Sequence, residues 1–105
     1  MSEQAVHVQF DHTQEDWSQF WIFEKQLEKA VDDSGLGEYD GNELALDCSN
    51  GTLFLYGPDA DKLLAVVRPI LQAATFMKNA VVTLRYGPAH KEGVRTTTVR
   101  LGLPH

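Results

Sequence analysis

Gly51–Leu71 reads GTLFLYGPDADKLLAVVRPIL, a strand, a stop and a helix in one short stretch. Thr52–Tyr56 sets Leu53 and Leu55 on one side and Thr52, Phe54 and Tyr56 on the other, the period-2 pattern of a strand. Asn50-Gly51, just upstream, is the strongest short hairpin signal, because both central residues of a type I′ turn need positive φ. A two-residue turn there pairs Cys48 with Leu53 and Leu46 with Leu55, and puts Leu44 on the same apolar face. Gly57-Pro58 then stops the strand, since proline has no N–H for the ladder. Asp59 suits an N-cap, and Asp61 adds negative charge at the positive end of the helix dipole. Ala60, Leu63, Leu64, Val67, Ile70, Leu71 and Ala74 fall on one helical arc. Pro69 inside that arc bends the helix or restarts it.

Working outward, Ala5–Phe10 alternates Val6, Val8 and Phe10 against His7 and Gln9, a first strand. Thr13 and Asp16 have capping-box spacing and open a helix whose buried arc is Phe20, Phe23, Leu27, Ala30 and Val31. Trp17 and Trp21 flank that arc beside Glu24 and Glu28, Ile22 points away, and Gly35 is the expected C′ residue. Gly37–Gly41 reads as a turn or bulge into a strand over Asn42–Cys48. Ala80–Tyr86 alternates as a further strand, Gly87–Gly93 is a polar loop, and Thr-rich Val94–Leu101 is a final strand.

The order is β-α-β-β-α-β with one extra strand. Helices in both right-handed crossovers lie on the same side of one antiparallel sheet. This is an α+β, ferredoxin-like βαββαβ sandwich with an added C-terminal strand, and a meander of different strand order is the alternative. The run ALDCSNGTLFLYGPDADKLLAVVRPILQAA, with GEYDG before it and LRYGP after it, resembles a group of short, uncharacterised bacterial proteins of ferredoxin-like type. The resemblance implies the fold and carries no activity across.

At 105 residues the chain makes one domain with a core of its own. Nine basic against 15 acidic residues, net −6, argue against duplex nucleic acid or an anionic membrane as a partner. Cys48 is the single cysteine, so no internal disulfide forms, and a reducing, cytoplasmic setting is the expectation. Nothing after Met1 reads as a leader, and no apolar run reaches the ~20 residues of a membrane span.

The helix-free side of the sheet gathers His7, Asp47, Phe54, Tyr56 and Arg85 as a candidate binding face, with the Trp17/Trp21 flank as a second. A second copy, a protein partner or a small ligand could cover that face, or the C-terminal tail could lie over part of it. His7, Asp47 and Arg85 could also converge there as acid, base and clamp. Asn50–Gly57 looks superficially like the base-stacking strand of RNA-recognition motifs, but Asn50 and Leu53 break the pattern and the acidic balance opposes it. The scattered histidines have no metal-ligand spacing, and Asp59 and Asp61 would repel phosphate from the second helix start.

The expectation is therefore a non-enzymatic binding or regulatory module, without metal or cofactor, acting through its open sheet face as a homodimer or on a protein partner. A small-molecule-binding protein or small enzyme, with His7 and Arg85 lining a pocket, is one rival. An acidic inhibitor or immunity-type protein is the other.

Overall fold

The computed structural model describes residues 3–11, 18–45, 50–74, 77, 79–88 and 91–101. Over these the chain runs β1 (Gln4–Asp11), α1 (Ser18–Ser34), β2 (Glu38–Leu44), β3 (Asn50–Gly57), α2 (Ala60–Ala73), β4 (Val81–Arg85) and β5 (Thr96–Arg100). The strands form one antiparallel sheet in the order β2-β3-β1-β4-β5. This is an α+β arrangement whose middle strand is the first in the chain.

Alternation decides which residues meet the helices. Val6, Val8 and Phe10 of β1, Leu53 and Leu55 of β3, and Val82 and Leu84 of β4 join Phe20, Phe23, Leu27 and Val31 of α1 in one core cluster. Leu63, Leu64, Val67 and Leu71 of α2 belong to the same cluster, so both helices cover one face of the sheet. Phe10 and Phe20 stack at 5.5 Å between ring centroids and tie the central strand to α1. Gly35 takes φ 68° after α1, as a C′ glycine should.

Helix α2 opens as its sequence requires. The Asp59 side chain accepts from the Lys62 amide at 3.1 Å, and Gln4 of β1 accepts from the Ala60 amide at 2.8 Å. The helix continues through Pro69 without restarting. Pro69 and Ala65, one turn earlier, are both exposed, so the carbonyl that loses its partner can turn to water. Among the described residues no helix is long and apolar enough to cross a membrane.

The expected β2–β3 register is corrected. Asn50 and Gly51 lie within β3, paired with Asp11 and Phe10 of β1, and Gly51 is not at positive φ. Leu53 faces Asn42 and Leu55 faces Tyr39, in place of Cys48 and Leu46. The strand begins earlier than expected, and a bulge between Tyr39 and Gly41, with Gly41 at φ 105°, resets the alternation. Tyr39 and Asn42 then point to α1, where the Tyr39 hydroxyl donates to the Glu24 carboxylate at 2.6 Å and the Asn42 side-chain amide donates to the same oxygen. Burial, and then that hydrogen bond, push the Tyr39 phenol well above its ordinary range.

Gly51 is a glycine for another reason. A Cβ there would lie 2.8 Å from Leu44 Cδ2 and 3.0 Å from Phe10 Cζ, because these two side chains close over its backbone. Leu46, Asp47 and Cys48 of the expected pairing, the Thr13–Asp16 capping box and Trp17 lie outside the described residues.

Candidate open sheet face

The side of the sheet away from the helices is set by pairing register, because residues opposite one another across antiparallel strands share a face. Three rows cross it. The first runs Glu38, Tyr56, Ala5, Arg85, Thr96; the second Gly41, Phe54, His7, Thr83, Thr98; the third Glu43, Thr52, Gln9, Val81, Arg100. His7, Phe54, Tyr56 and Arg85 therefore come together here as the sequence reading expects. Asp47 lies outside the described residues, so of the His7–Asp47–Arg85 grouping only His7 and Arg85 are described.

An aromatic cluster occupies the middle. The His7 ring meets Phe54 edge-on at 5.1 Å and Tyr56 edge-on at 6.0 Å. Ala5 lies between Tyr56 and Arg85 and is fully buried although no helix lies over it. A small residue at the centre lets larger neighbours close above it. Gly41, opposite Phe54, offers no side chain to cover that ring, and both Phe54 and Tyr56 remain half-buried.

The Arg85 Nε donates to the Gly87 carbonyl at 2.7 Å, which steadies the guanidinium near the β4 end. Burial, followed by the Arg85 charge, lowers the His7 pKa below its ordinary 6.5. The ring is accordingly a neutral imidazole near pH 7. Its Nε2 is buried and has no hydrogen-bond partner among the described residues.

Two residues missed by sequence reasoning complete the charge pattern. Glu38 joins Glu43 along β2, whereas Arg100 of β5 joins Arg85 of β4 at the other side. The face thus has an acidic margin and a basic margin on either side of an aromatic centre. Strand periodicity could have found Arg100, but Glu38 depended on the bulge. At the Asn50 end, a cleft of about 290 Å³ is lined by Gln9, Asp11, Asn50, Thr52, Asn79 and Val81.

The second candidate surface belongs to the other layer. Trp21 is 47 % exposed and its ring lies edge-on to Phe20 at 5.1 Å, so it seals the margin of the core with part of its surface in water. Ile22, 56 % exposed, lines a groove between α1 and α2 with Phe23 and Ile70. No group of three His, Cys, Asp or Glu residues that could hold a metal ion occurs among the described residues. Compared with protein-family models, curated proteins and solved structures, the chain matches none.

Proposed function

We propose that this chain is a binding or regulatory module whose contact surface is the open face of the sheet. The observation that carries the reading is the half-buried Phe54–His7–Tyr56 cluster at mid-sheet, uncovered by either helix and flanked by charge. A soluble partner surface of this kind, with aromatic anchors inside a polar rim, is what protein interfaces use. The order β4-β1-β3-β2, with helices in both crossovers and β5 added at one edge, supports a ferredoxin-like reading of the α+β fold. One cysteine in 105 residues supports a reducing, cytoplasmic setting.

Substituting Tyr56→Asp tests the reading. It places a charge in the anchor cluster without touching the helix-side core, so self-association or partner capture should weaken while the thermal transition stays cooperative. Association unchanged by Tyr56→Asp removes the open face as the contact surface. A second reading, a small-molecule site on the same face, is favoured by the buried His7 Nε2 with no partner among the described residues. A ligand retained in native mass spectrometry by the wild type and lost in His7→Phe would select it.

A further inference from the structure

We propose that the occupant of the open face is a second copy of this chain, stacked sheet to sheet about a two-fold axis that runs parallel to β1. The inference rests on the open-face reading above and names its partner. Two identical sheets facing each other can be related by an in-plane axis along the strands or across them. An axis across the strands through the middle row lays β2 on β2, so that Glu38 meets Glu43 of the second copy, while Arg85 and Arg100 face Val81 and Thr96 and find no acidic partner. Like charges so juxtaposed oppose association.

An axis along β1, the middle strand of five, lays the acidic margin of one copy over the basic margin of the other. This operation leaves position along the strand unchanged, so each row must face itself in reverse, and no sliding adjustment is available. Glu43 then faces Arg100 of the second copy, Tyr56 faces Arg85, Phe54 faces Thr83 and Thr52 faces Val81. Ala5, His7, Gln9 and Asp11 meet themselves at the axis; the small Ala5 permits close approach at one end, and the exposed Asp11 pair is a like-charge contact at the other. The arrangement matches acid to base at the margin and aromatic ring to guanidinium nearer the centre.

The net charge of −6 does not oppose this contact locally. Glu28, Asp32 and Asp33 lie on α1, on the other side of the sheet from the open face, where salt screens their effect on it. Five strands spaced about 4.8 Å apart make a modest platform, at the lower end of stable interfaces, so the dimer should dissociate measurably on dilution.

The test uses exchanged charges. Glu43 and Arg100 are exposed and sit four strand spacings apart in one chain, about 19 Å, so they cannot pair within it. Mass is followed by light scattering across concentrations for the wild type, for Glu43→Arg, for Arg100→Glu and for an equimolar mixture of the two variants. The wild type should approach twice 11.7 kDa. Each variant alone should dissociate at least tenfold more readily, while the mixture regains the wild-type affinity, because only the mixed pair restores both contacts. Unchanged far-ultraviolet circular dichroism of each variant keeps misfolding out of the comparison. A dimer indifferent to both substitutions, or a mixture that stays monomeric, overturns the inference. So does a wild type at monomer mass throughout; in that event the open face itself is judged separately, by capture of another protein or a ligand before and after Tyr56→Asp.

Discussion

The two faces of β3 differ by one residue step and by almost everything else. Leu53 and Leu55 are fully buried among the helices, whereas Phe54 and Tyr56, between and beside them, keep part of their surface in water. Both sets are large and apolar, so hydrophobicity alone does not say which is core. The helix-side residues interlock with the arcs of α1 and α2, where close packing makes every methylene count. The open-face aromatics lie among sheet neighbours: His7 across the ladder, Ala5 opposite Tyr56 and Gly41 opposite Phe54. Side chains that large, gathered at mid-sheet on the side away from both helices, are poised for association more than for folding.

The sharpest way to break that contrast is to cut both sides of the strand equally. Leu55→Ala leaves a cavity between sheet and helices and should cost about 2–5 kcal/mol in urea denaturation. Phe54→Ala should cost clearly less when measured on the dissociated chain. Equal losses would mean that the open face is a second core and that its aromatics serve folding.

A smaller effect probes the glycine that joins the two layers. Gly51→Ala drives a methyl into Leu44 and Phe10, and should destabilise by about 1–3 kcal/mol, the range for overpacking a tight site. If Gly51 were a turn residue at positive φ, Asn would restore stability at this position. Buried beneath Phe10, it should instead tolerate Asn less well than Ala.

The least expected change is in pH dependence, and it isolates the open face. The folded chain holds the His7 pKa below its unfolded value near 6.5, so the unfolded chain binds more protons in the interval between them. The His7 contribution is therefore whole above about pH 6.5 and is lost as pH falls through the folded value. Thermal melts of wild type and His7→Gln should run parallel above pH 7 and converge on acidification. Parallel curves at every pH would show that burial and Arg85 do not act on this ring.

Much of this molecule is legible from local pattern. Strand alternation around His7, Phe54 and Tyr56, the arc of α1, the Asp59 cap and the Gly35 stop all depend on neighbours a few residues away, and all stand in the structure. The misreading came where two local signals conflicted with a distant one. Asn50-Gly51 reads as a tight turn, yet Gly51 lies under Phe10, some forty positions earlier in the chain. Likewise the β2 register follows from Tyr39 and Asn42 reaching Glu24 on α1, a partner that no strand pattern can name.

By itself, then, the sequence determines which residues alternate, where the second helix starts and the first stops, and that His7, Phe54, Tyr56 and Arg85 share a side of the sheet. Periodicity and capping are short-range physics, written within a few residues. Only the tertiary structure decided the β2 bulge, the burial of Gly51 and the opposition of Glu38 and Glu43 to Arg85 and Arg100. Those depend on which strands become neighbours, and strand neighbours are chosen by the packing of the whole sheet against its helices.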